Sequence, residues 1–510
     1  MIYNVKFGHS HGNFMGRIAD ILAEAGHNVT SLIPEIDPKL ADGTTKSTII
    51  HVRPDPFASS TWNWMNVNGG DMFTMDSANP IMGWIGGLLM GSVFGSQCRT
   101  TIDDDDLMKK LKDEQFDVVI TENFDYCGMG IAHVIEPTTT ILVHSTVFNA
   151  WHYADLGIPQ MLSFDPGMTT MKIDVHSMWS RAMNIFTDWA SVLMFTGGRT
   201  KTEAIFKEKY GPDFPSFKEL TSRVAYAFSY AEPLIDFAHP TLHKVIDLGG
   251  IGAKEPKLLD KFWDGVLSAR KQTVLLSFGS VAKSEQLPVH IKQTILKMVA
   301  SFPETTFIWK YEHPDDLFSR RNASVLPNLV LSKWMPQNDL LSDPRLSVFI
   351  SHGGMGSVQE TALRGVPAIF IPIFAEQARN AAMMEYNGLG KVFNKFELGD
   401  SDKLIATLRE VLGNPTYREK AQRASKMLAK KPLKSKELLV KYTEFAARFG
   451  ASPALRPASV DMSWIEYFNL DIIAIAFVLL LICGAVLLKL TTTFLRCIFS
   501  RFTIVKAKQE

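Results

Sequence analysis

Cysteine is scarce in this chain, 4 residues in 510, and so is any imbalance of charge: 53 basic against 53 acidic side chains give a formal net charge of +0. Cys98, Cys127, Cys483 and Cys497 have neither the density of a disulfide scaffold nor the paired spacing of a zinc site. A neutral balance creates no field that would draw the chain to nucleic acid, and no basic stripe is present, so that class of partner is excluded. Internal repeats and low-complexity tracts are absent. So is an apolar leader, because MIYNVKFGHSH has no h-region of a signal peptide.

What is present is globular: 46% hydrophobic and 21% charged residues, in a length that suits two domains plus an additional segment. That segment is IIAIAFVLLLICGAVLL, residues 472–488, which carry no charge over 17 positions and meet the lower limit for crossing a bilayer. Lys489, Arg496, Arg501, Lys506 and Lys508 follow, against one acid, Glu510. Positive flanks stay cytosolic, which predicts a single-pass protein with its bulk on the luminal or outer side. Such a topology normally needs a leader, so the expectation is either a mature or cut start, which the short first strand favours, or targeting by the C-terminal segment itself. Cys98 and Cys127 are then the one cysteine pair on the luminal side, and sequons at Asn28 and Asn322 are compatible with that compartment.

Along the chain, VKF reads as a short strand entering the loop GHSHG. FMGRIADILAEAGH has helical spacing, and NVTSLIP is a β-branched strand. FDVVITE (116–122) and TTTILVHST (138–146) are buried strands, the first ending on a carboxylate. Residues 159–207 are rich in Met, Trp and Phe and suggest amphipathic helices walling an apolar pocket. DLGGIGAKEP (247–256) marks a domain boundary. A second alternating series follows, in TVLLSFGS, TTFIWKY, NLVLSKWMPQ, LSVFISHGG and PAIFIPIF. The expectation is an α/β protein with two doubly wound, Rossmann-like domains facing across a cleft, at 1–250 and 251–430. Return helices at 431–468, a membrane helix at 469–490 and a basic cytosolic tail at 491–510 complete it.

The most informative stretch is SHGGMGSVQETALRGVPAIFIPIFAEQ, residues 351–377. A strand runs into a loop with Gly353, Gly354 and Gly356, then into a helix at about 357–364 that Gly365 ends. Glycines let backbone approach a ligand, and the first helical turn offers unbonded N–H groups, which together bind phosphate. Glu360 can accept two hydrogen bonds from a ribose diol. Glu376 and Gln377, brought to the same sheet edge by a right-handed crossover, can do so for a hexose. Diphosphate, ribose and sugar in a row describe a nucleotide sugar.

The spacing of His352, Gly354, Ser357, Glu360, Pro367, Pro372, Glu376 and Gln377, with WMPQ upstream, resembles the 44-residue donor box of the UDP-glycosyltransferases, here 334–377. GRIADILAEAGHNVT, FDVVITE, GIP, LGGIG, SFGS, LRP and the basic-ended tail are similar to the animal, especially nematode, branch. The resemblance implies the GT-B fold, residence in the endoplasmic reticulum membrane with luminal catalytic domains, and a C-terminal domain that holds the UDP-sugar. It implies that Trp334 stacks on uracil and Gln337 bonds the nucleoside.

It further implies that His11, rather than its neighbour His9, is the base that deprotonates the acceptor, oriented by a carboxylate at the end of the FDV strand. Relatives commonly have aspartate there; this chain has Glu122, one methylene longer. Ser280, Ser357, His352 and the helix N-terminus would meet the leaving diphosphate, with no metal or other cofactor required. The Asp103–Asp106 run contains a D-x-D pattern, but acidic residues before LMKKLKDEQ read better as a helix N-terminus. Gly356 stands where many relatives carry asparagine.

The expected function is inverting transfer of a sugar from UDP-glucuronic acid or UDP-glucose to a hydroxyl of a small lipophilic acceptor. One helix holds the bilayer, there is no nucleic-acid partner, and a homo-oligomer is compatible with the sequence. The alternative is a catalytically silent membrane protein of the same fold that binds a UDP-sugar or a lipophile.

Overall fold

The computed structural model describes residues 1–506 apart from 69–71, 77, 78, 149, 172 and 324. Contiguous apolar runs such as Val118–Glu122 and Leu346–Ser351 form strands covered on both faces, the pattern of parallel sheets. The first sheet contains β1 (Ile2–Tyr3), β2 (Thr30–Pro34), β3 (Thr48–Val52), β4 (Val118–Glu122), β5 (Thr139–His144), β6 (Tyr226–Ser229) and β7 (Val245–Asp247). Its order is β3-β2-β1-β4-β5-β6-β7, parallel throughout. The second contains β8 (Gln272–Ser277), β9 (Thr305–Lys310), β10 (Leu329–Ser332), β11 (Leu346–Ser351), β12 (Ala368–Phe370) and β13 (Gly390–Val392). Its order is β10-β9-β8-β11-β12-β13, also parallel.

Each sheet reverses direction of winding once, between β1 and β4 in the first and between β8 and β11 in the second. Crevices open beyond the C-terminal strand ends at such reversals. One apolar core joins the halves: Phe14 and Ile18 of the first, Val358 and Ala362 of the second, and Leu439 and Ala446 of the helix Ser435–Phe449 belong to it. Polar contacts cross the junction too, among them Gln359 Nε2 donating to the Tyr230 carbonyl at 3.1 Å and Arg379 pairing with Asp236 at 2.8 Å.

Three expectations are corrected. The regular first strand is Ile2–Tyr3 rather than VKF, of which only Lys6 makes a bridge, to Glu35. His9 and His11 are on the first turn of the helix His9–Glu24 rather than in a loop, because extended Gly8 ends the connection immediately before them. Residues 178–210 form one 33-residue helix, Met178–Tyr210, whose large apolar side chains Trp179, Ile185, Phe186 and Trp189 are exposed. Its buried positions are Asn184, Asp188 and Ser191, about one helical turn apart in its first half, and Ile205 and Phe206 near its end, among others.

Residues Pro457–Glu510 form a separate compact unit. Within it the helix Leu470–Lys506 runs past the expected end at 490, and its stretch Leu470–Phe499 is long and apolar enough to cross a membrane. Cys98 and Cys127 are joined in a disulfide.

Candidate active site

Glu122 is the last residue of β4, and the helix carrying His11 follows β1, so both side chains enter the crevice at the reversal of the first sheet. Nδ1 of His11 lies 2.8 Å from Glu122 Oε2. A carboxylate only accepts, so Nδ1 carries the hydrogen and Nε2 of the neutral ring presents a lone pair. The additional methylene of glutamate is thus accommodated. Ser145, just beyond β5, donates its backbone N–H to Glu122 Oε1 at 2.9 Å and places Oγ 2.9 Å from His11 Nδ1. Phe7 and Phe124 stand beside the imidazole, with ring centroids at 4.7 and 5.0 Å.

Burial alone would lower the pKa of His11, but the charge and hydrogen bond of Glu122, with Glu376 adding to them, hold it above the ordinary imidazole value. Burial works to raise Glu122, yet His11, His144 and Ser145 overcome it and hold this carboxyl at about 2. His144, 3.6 Å from Glu122 Oε1, is pushed down to about 4 by burial and is neutral at physiological pH.

The second sheet presents its own reversal. Ser280 follows β8, and the loop 352–354 follows β11 and leads into the helix Met355–Arg364. No side chain caps that helix, leaving its first N–H groups available. The His352 ring is held between two glycines: a Cβ on Gly354 would lie 2.6 Å from its Nε2, and one on Gly279 2.7 Å from its Cε1. Burial, and then the Lys310 charge, push His352 down to about 4. At Gly356, by contrast, a Cβ would meet nothing within 4 Å. Gly365 ends the helix with φ 69°, the left-handed conformation that glycine adopts without cost.

Gln337 links the next residues, its Nε2 donating to Glu360 Oε2 at 2.7 Å and reaching Ser357 Oγ at 3.3 Å. Trp334 is 69% exposed, with its rings 6.2 Å from that of His9, which comes from the first half. Glu376 precedes the helix Gln377–Tyr386; burial raises its pKa and His11 opposes the rise. Gln377 is buried, and its Oε1 already accepts from the backbone of Ile373 (2.8 Å) and Phe374 (3.1 Å). Only its amide N–H groups remain for a ligand.

The expected residues fall into groups: His11 with Glu122 in contact and Glu376 acting on His11 electrostatically, His352 packed between Gly279 and Gly354 near Ser280, and Gln337 bonded to Glu360 and Ser357, with Trp334 beside His9. Two participants were missed by sequence reasoning. Ser145 sits at the C-terminal edge of β5, a position that could have drawn notice. Lys310 ends the apolar strand β9 and bonds the Gly279 carbonyl at 2.7 Å and Glu312 at 3.0 Å; an amine closing an apolar run was the available signal. The acidic run is a helix start: Asp104 Oδ1 accepts from the Leu107 backbone at 2.9 Å. Among the described residues one grouping has metal-ligand chemistry, Glu35, Asp42 and His51, and the Lys6 amine already bridges its two acids.

The family model described as UDP-glucoronosyl and UDP-glucosyl transferase matches residues 2–509. The chain is 31% identical over 483 residues to ugt-48 of Caenorhabditis elegans, which bears a UDP-glucuronosyltransferase name, covering 93% of this chain and 91% of that protein. It is 27% identical over 484 residues to UDP-glucuronosyltransferase 1A7 of Mus musculus, covering 91% and 86%. Among solved structures, the glycotransferase of kitacinnamycin matches with TM-score 0.58 and 16% identity, over 88% of this chain and 97% of that one. UGT2 of Phytolacca americana, complexed with UDP-2fluoro-glucose and pterostilbene, matches with TM-score 0.56 and 14% identity, over 88% and 99%. These two establish the GT-B arrangement of the paired sheets.

Proposed function

Because this chain belongs to the family of UDP-glucuronosyl and UDP-glucosyl transferases and is a UDP-glycosyltransferase, we propose that it moves glucuronic acid or glucose, with inversion, from UDP to a hydroxyl of a small lipophilic acceptor. His11 Nε2 takes the hydroxyl proton. The acceptor oxygen then bonds the anomeric carbon, and the bond from that carbon to the diphosphate oxygen breaks, its electron pair leaving with UDP. The observation that carries this reading is the 2.8 Å contact of His11 Nδ1 with Glu122, which leaves Nε2 as the free base and stabilises the imidazolium once formed.

The uncapped N–H groups of the helix Met355–Arg364, with Ser280, Ser357 and neutral His352, receive the charge that develops on the diphosphate. Trp334 offers an open indole face to the base, Gln337 and Glu360 hold the nucleoside, and Glu376 with the Gln377 amide holds the sugar. No metal is needed in this scheme. The stretch Leu470–Phe499 spans the endoplasmic reticulum membrane and the catalytic halves are luminal; the Cys98–Cys127 disulfide and the basic residues that follow the span support this placement.

The anomeric configuration of the product tests the mechanism. The α-linked donors should give only a β-linked product by NMR, and an α-linked product would overturn direct displacement. Competition between the two donors in the same reaction settles which sugar is used.

A further inference from the structure

Residues 72–75, from the connection between the helices Pro56–Asn68 and Pro80–Ile102 of the first half, are seated in the second half. The Phe73 ring is 1% exposed and belongs to an apolar core whose other buried members, among the described residues, all come from 274–411. It meets the ring of Phe278 edge-on, with centroids 5.5 Å apart. Phe278 immediately precedes Gly279 and Ser280, in the loop where Gly279 packs against the His352 ring.

Two polar side chains of the second half hold the backbone of the same region. Lys395, buried, donates its ammonium to the carbonyls of Met72 at 2.9 Å and Met75 at 2.6 Å, and also to that of Ile373. Those carbonyls use every hydrogen an ammonium has. The Ile373 N–H is in turn bound by Gln377 Oε1, so one side chain ties the first half to the turn that carries Glu376 and Gln377. Gln286 Nε2 adds bonds to the carbonyls of Asn66 at 3.0 Å and Val67 at 3.3 Å. The flanking helices lead back to the base: Trp62 and Phe94 meet Phe7 edge-on at 5.6 and 5.0 Å, and Phe7 stands 4.7 Å from the His11 ring.

A binding loop is fixed by what packs behind it, and a misplacement of about 1 Å at a positioning group costs on the order of 100-fold in rate. We propose that residues 72–75 are a clasp through which the first half positions the donor loops of the second, an inference that rests on the transferase reading: Phe73 sets 278–280 for the diphosphate, and Lys395 sets the turn 373–377 for the sugar. Both act through these loops rather than on the donor itself. Because Trp62 and Phe94 of the flanking helices wall the base, the clasp also keeps the donor loops in register with His11.

Calorimetry on the full-length protein compares UDP with UMP, which lacks the β-phosphate, while UDP release gives kcat and the donor KM. Phe73→Ala should weaken UDP at least about tenfold and UMP less than about threefold, and raise the donor KM. Phe73→Leu, a smaller truncation that keeps the site testable if the alanine variant does not fold, should weaken UDP about threefold. Lys395→Met should raise the donor KM, and Lys395→Arg, which keeps donors for the carbonyls, should recover part of the loss. Leu408→Ala, equally buried in the same core on the helix Ser401–Gly413, should lower Tm and leave the ratio of UDP to UMP affinity in place. An unchanged ratio in the folded Phe73 variants, or an equal change in Leu408→Ala, overturns the clasp and leaves the transferase reading standing. A wild type that binds UDP but turns over neither UDP-glucuronic acid nor UDP-glucose defeats that reading, and the ratio still decides the clasp.

Discussion

Replacing Glu122 by glutamine keeps the side-chain shape and removes the charge, and its consequences follow from the site geometry. Both carboxylate oxygens are occupied, Oε2 by His11 Nδ1 and Oε1 by the Ser145 N–H. An amide has one acceptor oxygen, so one of these two donors must face an NH₂ group instead. Burial works to raise the Glu122 pKa, and the charge and hydrogen bond of His11 are the first of the partners that overcome it, so the carboxylate stays charged beside the base. A hydrogen bond to a charged group contributes about 1.5–3 kcal/mol, so Glu122→Gln should lower kcat/KM by roughly 10- to 100-fold. The acid limb of the pH profile should move as well. His11 must be unprotonated to act, and in the wild-type protein its pKa lies above 6.5, so activity falls as pH drops through that value. Without the carboxylate, burial dominates and the limb shifts to lower pH, while the plateau remains depressed. Glu122→Asp, which keeps the charge at shorter reach, should lose less and keep its limb above that of the glutamine variant. Measuring initial rates of UDP release from pH 5 to 9 decides it. A glutamine variant with undiminished plateau activity, or with an unmoved limb, would refute the dyad.

Other residues give sharper local expectations. Ser145→Ala removes the hydroxyl beside His11 Nδ1 but keeps the backbone bond to Glu122, so kcat should fall roughly 2- to 10-fold with KM for the donor unchanged. Gly354→Ala drives a methyl into the His352 ring and should raise the KM for UDP-sugar at least about tenfold, whereas Gly356→Ala enters open space and should leave it unaltered; equal effects would contradict the packing. Reducing the Cys98–Cys127 bridge, which spans 29 residues, should lower stability by about 3–4 kcal/mol on loop entropy, seen as a drop in Tm that Cys98→Ser reproduces without reductant.

Much of this molecule can be read from local pattern. Unbroken apolar runs mark the parallel strands, the glycine loop and Gly365 bracket the helix Met355–Arg364, and the spacing from Trp334 to Gln377 carries the resemblance to the family's donor box. What escapes is whatever depends on the face a residue turns inward. Met, Trp and Phe between 159 and 207 suggested a pocket wall, but the helix Met178–Tyr210 turns Asn184 and Asp188 inward and much of its aromatic surface outward. The engagement of Gln377 Oε1 depends on a turn in which Ala375 adopts φ 54°, a conformation that alanine rarely takes and that the sequence does not announce. Ser145 reaches His11 only because β5 lies beside β4, a register settled by long-range pairing.

The central claim is that His11 is the base of a UDP-sugar transfer. UDP release with UDP-glucuronic acid and with UDP-glucose, measured side by side on wild type and His11→Ala, tests it most directly. The account predicts turnover with at least one donor and a loss of at least about 100-fold in the variant, with UDP affinity retained because the donor contacts come from the other half. Equal rates in the two proteins would contradict it.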